Sequence, residues 1–147
     1  MTILIQILAA AAGTVAFGGI FGVPGRYYPY CGFIGGAGWA AYALLWERLH
    51  FWSEPAAVFC ATVLVILLSR MFAVRERCPV TIFLVSGILP LVPGAGIYWT
   101  AYYLVTDQLA EAADRGFLAV KVAVAIVLGI VFVFEIPQRV FRKAVRR

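Results

Sequence analysis

Charged side chains are scarce in this chain, making up only 13% of its 147 residues, while hydrophobic residues make up 64%. A typical soluble domain is about 25% charged and about 45–50% apolar, and it needs that charge to keep its surface in solution. The few charges cluster in short stretches that separate apolar runs of roughly 16 to 26 residues. Because a helix of about 20 residues crosses a bilayer, the sequence predicts an all-α integral membrane protein with a single domain, residues 1–147.

Groups that carry out catalysis or bind metals are also scarce. His50 is the only histidine, and neither a set of metal ligands nor a Ser/His/Asp arrangement accompanies it. Cys31, Cys60 and Cys78 are odd in number and lack CxxC spacing, so we interpret them as small hydrophobic side chains. We therefore expect no enzyme activity, no metal, no cofactor and no nucleic-acid partner.

No lysine or arginine precedes the apolar stretch that begins at Thr2, which argues against a removable signal peptide. The sequence predicts five spans, of which the first is retained, the second is short and rich in glycine, and the fourth is long and interrupted. They cover about residues 2–23, 31–46, 55–74, 80–105 and 117–134, and a basic cytoplasmic tail follows at 139–147. Near the end of the third span, Arg70 is expected to extend its head group to the interface.

The distribution of lysine and arginine tests this topology, because short cytoplasmic loops collect these residues. The four loops contain one, one, three and one of them, and the tail contains five. The later loops alternate as an external N-terminus and a cytoplasmic C-terminus require, whereas the first two do not discriminate. If residues 31–46 were re-entrant instead, four spans would place both termini in the cytoplasm.

The fourth span is interrupted by prolines and glycines. Pro90 and Pro93 remove two backbone donors, and Gly94 and Gly96 loosen the turn. In hydrocarbon, a broken helix is tolerated only where protein or a water-filled cavity surrounds it. If a helix restarts after Gly94, its positive end could bind a carboxylate, as in several transporter folds; a simple proline kink is the alternative. Tyr98, four residues past Gly94, is expected near such a substrate.

Three further positions have two interpretations each. Gly35 belongs to a group of glycines that predicts close helix packing, with a backbone-lined permeation path as the alternative. Arg26 lies at the membrane boundary, where it either anchors the interface or holds an anionic substrate. Lys121, about one turn inside the last span, either reaches water with its side chain or takes part in substrate or proton coupling.

The stretch from Phe21 to Arg26, and the later stretch from Pro90 to Gly94 with Tyr98, resemble the threonine/serine exporter (ThrE) family. More closely, the chain is similar to the small, YjjB-like membrane subunit of that family. The matching positions are Pro24, Arg26, Gly35, Pro90, Pro93, Gly94 and Tyr98, within about residues 16–103. The resemblance implies export of small anionic or zwitterionic metabolites, such as threonine, serine or small dicarboxylates, across a bacterial inner membrane.

The resemblance also implies a partner, because the small subunit works with a larger membrane chain. Five spans are few for a complete transporter, so a homo- or hetero-oligomer in the lipid bilayer is expected. The first hypothesis is therefore a subunit of an exporter whose broken fourth span contributes to the substrate site. The alternative is a non-transporting scaffold or assembly subunit. A small drug-type exporter is disfavoured, because such proteins use a buried carboxylate that this sequence does not place at mid-membrane.

Overall fold

The computed structural model describes residues 3–48 and 53–145, and this part of the chain is helical, without a strand. In chain order the helices are α1 (Ile3–Ile20), α2 (Tyr28–Ala43), α3 (Glu54–Glu76), α4 (Thr81–Ile88), α5 (Gly94–Val105), α6 (Leu109–Phe134) and α7 (Gln138–Val145). Short 3-10 turns precede α2 and join α4 to α5, and a π-helical turn extends α2 to Arg48. The all-α prediction is confirmed; His50 and tail residues 146–147 lie outside the described residues.

Three of these helices, α1, α3 and α6, are each long and apolar enough to cross a membrane. The stretch from Thr81 to Leu91 and helix α5 meet the same requirement together, with a bend of 48° between them. That bend falls inside the predicted interruption of the fourth span. The α-helical part of α2 has only 16 residues. The protein thus has three or four candidate spans by length and composition, and the fifth crossing stays a prediction.

Helix α2 packs closely on both α1 and α3 because glycines form its contact surfaces. A Cβ atom placed on Gly35 would lie only 1.9 Å from the hydroxyl oxygen of Thr14 in α1. That hydroxyl donates a hydrogen bond to the carbonyl of Ala10. A Cβ atom on Gly38 would lie 2.4 Å from a methyl group of Val65 in α3. Any larger side chain at these two positions would push the helices apart.

Helix α4 is short but packs against both α2 and α3 in the middle of the bundle. Its Phe83 is fully buried and meets the ring of Tyr27 edge to face, with 5.5 Å between the ring centroids. One turn further on, a Cβ atom on Gly87 would lie 2.8 Å from Ile34 and 3.3 Å from Val65. Because Val65 is at the middle of α3, helix α4 brings the chain to about mid-depth of the bundle before it breaks.

Arg70 of α3 joins three helices, and the expectation that its head group lies at the interface stays a prediction. Its side chain is only 7% exposed, donates a hydrogen bond to the carbonyl oxygen of Val133 in α6, and stacks 4.3 Å from the ring centroid of Phe141 in α7. The amide of Ile136 donates to the same carbonyl at 3.1 Å, so Arg70 is a second donor to it at the end of α6. The arginine therefore connects α3 to the junction of α6 and α7.

The connections between helices form two groups at opposite ends of the bundle. Tyr30, at the start of α2, donates a hydrogen bond of 3.0 Å to Glu76 at the end of α3, so the first and third connections lie together. Helix α7 also packs on α3 at this end. We call it the basic end; its exposed arginines are Arg26, Arg75, Arg77 and Arg139. The acidic side chains of the opposite end are Glu47, Glu54, Asp107, Glu111 and Asp114.

Replacing Gly35 by alanine tests the close packing of α1 and α2. The added methyl group would overlap Thr14, and such overpacking costs about 1–3 kcal/mol. We expect Gly35→Ala to lower the thermal unfolding temperature of the detergent-solubilised protein, measured by intrinsic fluorescence. Gly13→Ala is the matched control, because a Cβ atom there meets nothing within 4 Å. Equal unfolding temperatures for the two variants would contradict the packing described here.

A double-mutant cycle tests the contact of Arg70 with the ring of Phe141 in α7. Arg70→Met should destabilise the fold by about 1.5–3 kcal/mol, as loss of a charged hydrogen bond does. Phe141→Leu removes the ring on which the guanidinium stacks, so the same Arg70 substitution should cost about 1 kcal/mol less in that background. Chemical denaturation in micelles measures both costs. Additive effects of the two substitutions would refute the contact.

Candidate functional site at the broken helix

The backbone between α4 and α5 is unwound at the two prolines. A single 3-10 turn, Leu89–Leu91, ends α4, and Val92 then adopts an extended conformation. The amide of Val92 donates to the carbonyl of Leu89 at 3.1 Å, and the amide of Gly94 donates to that of Val92 at 2.7 Å. Helix α5 restarts at Gly94. The chain therefore contains a true interruption with a change of direction.

The start of α5 leaves its first amides without a side-chain cap. Pro93 occupies the capping position and offers no side-chain hydrogen bond, while its carbonyl accepts from Ile97 at 3.1 Å. The amides of the first helical turn carry the positive end of the helix dipole. Ala95 and Gly96, in that turn, line a cavity. This cavity therefore borders the uncapped, positive end of a helix.

The cavity at the break has a volume of about 310 Å³ and is lined by parts of α2, α3, α5 and α6 and by the 3-10 turn with the residues that follow it. The segment from Pro90 to Gly96 forms one wall, and α6 forms another through Leu118, Ala119 and Val122. These two walls are in close contact: a Cβ atom on Gly96 would lie 3.3 Å from that of Ala119. The polar and aromatic side chains of the lining are Trp39, Tyr42, Glu54, Trp99 and Arg115.

One carboxylate and one guanidinium line this cavity. Glu54, in the first turn of α3, is half-buried, and Arg115, on α6, is exposed. Neither takes part in an ion pair within the part of the chain that the structure describes. Three aromatic side chains, Trp39, Tyr42 and Trp99, lie around the same space. The cavity thus combines an acceptor for a cation, a donor for an anion, and aromatic faces.

Four of the predicted site residues line this cavity: Pro90, Pro93, Gly94 and Gly96. The other four lie elsewhere. Arg26 is at the basic end, where its guanidinium stacks 4.5 Å from the ring centroid of Tyr27, and Gly35 is a packing position between α1 and α2. Tyr98 is 62% exposed and touches Trp99 edge to face. Lys121 lies over the ring of Phe117 at 4.4 Å and lines an open groove between α3 and α6.

Sequence reasoning missed the two charged residues of the cavity. Neither Glu54 nor Arg115 was among the predicted site residues. Both lie at the edges of apolar segments that are far apart in the chain, and packing of α5 on α6 brings Arg115 beside the break. The one available signal was that these charges precede the third and the fifth predicted span, which begin on the same side of the membrane.

The apolar helices and the interrupted span define a multi-pass helical membrane protein. A family model described as Threonine/Serine exporter, ThrE matches residues 6–136, which is nearly the whole chain. The chain therefore belongs to the threonine/serine exporter family, a family of transporters, and the resemblance found in its sequence is confirmed. No solved structure matches the chain.

A cysteine at position 94 tests whether the cavity contains water. Only the ionised thiol reacts with maleimides, so a thiol in hydrocarbon reacts slowly, and a broken backbone in the membrane needs a polar surrounding. In a variant whose three native cysteines are replaced by alanine, we expect a hydrophilic maleimide to label Gly94→Cys about tenfold faster than Gly13→Cys. Both glycines have open space at their Cβ positions. Equal labelling rates would mean that the cavity is dry.

Proposed function

We propose that this protein is the small membrane subunit of an exporter for small zwitterionic metabolites, with threonine and serine as the preferred substrates. The cavity at the break forms its part of the substrate site. The observation that carries this proposal is the meeting of three elements around one space: the uncapped start of α5, the guanidinium of Arg115 and the carboxylate of Glu54. A volume of about 310 Å³ is at the small end of the range for ligand pockets.

The chemistry of these groups matches the two charges of an amino acid. A substrate carboxylate would accept hydrogen bonds from the amides of Ala95 and Gly96 and from Arg115. A substrate ammonium group would pair with Glu54 and face aromatic rings, which attract cations. A dicarboxylate gains only the first set of contacts, and its second carboxylate would be repelled by Glu54. This asymmetry favours amino acids over small dicarboxylates such as succinate.

Helix α5 supports the proposal of a larger partner or a second copy at the open side of the site. None of its residues is buried, and it packs mainly on α6. Its exposed hydrophobic side chains are Ile97, Tyr98, Trp99, Tyr102, Leu104 and Val105. A small-molecule site usually surrounds most of its ligand, whereas this one has walls from a single chain. A hetero-oligomer with a larger membrane subunit of the family would complete it.

The orientation that we propose has five crossings, an external N-terminus and a cytoplasmic C-terminus, in the inner membrane of a bacterium. With its π-helical turn, α2 continues from Tyr28 to Arg48, which is about the length that a span requires. The arrangement of the arginines also supports this orientation, because Arg26 lies at the same end as Arg75, Arg77 and the tail. Cytoplasmic surfaces collect such residues. The cavity would then face the external half of the membrane.

Export assays test the charged residues of the site. Cells that express the chain with its partner are loaded with threonine or succinate, and efflux is followed after dilution. We expect Arg115→Gln and Glu54→Gln each to lower threonine efflux about tenfold, as loss of one charged hydrogen bond does. Glu54→Gln should leave succinate efflux unchanged or raise it, because it removes a charge that repels the second carboxylate. Asp114→Asn is the matched control, since Asp114 neighbours Arg115 but does not line the cavity.

Filling the cavity gives a second arm of the same assay. A leucine at position 94 finds open space at its Cβ and would occupy volume beside the start of α5, so Gly94→Leu should abolish most efflux. Gly13→Leu, at an equally open position on α1, should leave efflux unchanged. Unchanged efflux in Gly94→Leu and in both charge variants, at normal membrane levels, would remove the site assignment.

The alternative is a non-transporting scaffold subunit, which the glycine-rich packing surfaces and the unburied α5 would also suit. The two functions differ in what the larger partner does alone. A scaffold predicts that the partner, reconstituted in liposomes without this chain, transports at the full rate. The exporter proposal predicts that transport requires this chain and responds to Arg115→Gln within it.

A further inference from the structure

A second and larger cavity lies at the basic end, away from the break. It is a groove of about 980 Å³ between the last turn of α3, the connection to α4, and the junction of α6 with α7. We call it the basic groove; the residues that matter here are Arg70, Arg75, Arg77, Val80, Ile136 and Phe141. None of them belongs to the proposed substrate site. The groove lies where α3 and α6 end, which is the level of a membrane surface.

The basic groove has three arginines and no carboxylate in its lining. Arg75 and Arg77 are exposed, and Arg70 closes the inner side, held by Val133 and Phe141. Glu76, between the two exposed arginines in sequence, accepts a hydrogen bond from Tyr30 on the α2 side and does not line the groove. The positive charge of the groove is therefore not balanced by its own walls.

The backbone conformation at Arg77 brings this residue to the basic groove. It ends α3 in the left-handed conformation, with φ of 53°, and the chain turns there toward α4. A side chain other than glycine, asparagine or aspartate is unusual in this conformation. The turn puts Arg77 on the lining of the same groove as Arg75 and Arg70.

The remaining walls of the groove are apolar. Val80, Ile136 and Phe141 line it together with Val74 and Phe134. Arginine binds phosphate oxygens in a forked geometry that a planar guanidinium favours. An inorganic anion would gain nothing from the apolar walls, whereas an amphiphile could place its charged group on the arginines and its chains along the walls. At a membrane surface such amphiphiles are lipids.

We propose that the basic groove binds the phosphate head group of an anionic phospholipid, with Arg75 and Arg77 holding the phosphate and α7 closing one side. The bound lipid would connect the end of α3 with α7 and thereby fix the helical start of the basic tail against the bundle. The groove is independent of the substrate site, and the proposal does not rest on the proposed function.

Lipid binding to the purified protein tests this proposal. The intact chain in a neutral detergent is titrated with phosphatidylglycerol or with phosphatidylcholine, and bound lipid is counted by native mass spectrometry. We expect a clear preference for phosphatidylglycerol. Arg75→Gln with Arg77→Asn should weaken its binding about 25-fold, since each arginine at an anionic surface contributes about fivefold. Asparagine tolerates the left-handed backbone at position 77, and Arg70 stays in place to keep the fold.

The matched control is Arg26→Gln with Arg139→Gln, which removes two positive charges from the same end but outside the lining of the groove. This control should bind phosphatidylglycerol within about threefold of the parent chain. Equal losses in the two double variants would mean diffuse surface attraction and would overturn the proposal. Two other results would also overturn it: equal binding of both lipids, or displacement of phosphatidylglycerol by inorganic phosphate at matched concentration, which would indicate a site for free anions.

Discussion

Backbone hydrogen bonding in an apolar surrounding is the constraint on which the rest of this structure depends. Pro90 and Pro93 remove two donors from a segment that is otherwise apolar enough to span a membrane, and an unpaired backbone group in hydrocarbon costs several kcal/mol. The protein meets this cost by ending α4 in a 3-10 turn, changing direction, and restarting a helix at Gly94. The amides in the first turn of α5 then border a cavity that Glu54 and Arg115 also line.

Close helix packing surrounds the first half of the broken span with protein. Because α2 presents glycines to both neighbours, side chains of α1 and α3 pack directly against its backbone. Helix α4 can then end at mid-depth with Phe83 and Gly87 still enclosed by α2 and α3. Helix α5, in contrast, has no buried residue. The first half of the broken span is therefore part of the rigid bundle, and the second half depends on α6 and on what surrounds the chain.

The two ends of the bundle differ in charge and in the kind of cavity they hold. One end has a groove with apolar walls that Arg70, Arg75 and Arg77 line. Toward the other end, a smaller cavity is lined by one carboxylate and one guanidinium beside a helix start. Arg70 shows how a buried charge can serve structure: it donates to the carbonyl of Val133 and stacks on Phe141, so one side chain connects α3, α6 and α7.

Several features of the site could be predicted from sequence because they are local. The break follows from Pro90 and Pro93, whose missing N–H groups act wherever the segment lies, and four of the proposed site residues are neighbours there. The positions of Arg26, Gly35, Tyr98 and Lys121 relative to the cavity were not local properties. Each depends on how a helix is rotated about its own axis when it packs, because that rotation decides which side chains face the cavity. The sequence does not specify this rotation directly.

The sequence by itself determined that the chain is helical, apolar enough for a membrane and interrupted near Pro90, because composition and missing donors act locally; its motifs carried the resemblance to the threonine/serine exporters. Only the tertiary structure decided that Glu54 and Arg115 share a cavity with the break, that Arg70 is buried, and that Gly35 packs against Thr14. The physical reason is that these relations arise from contacts between helices far apart in the chain.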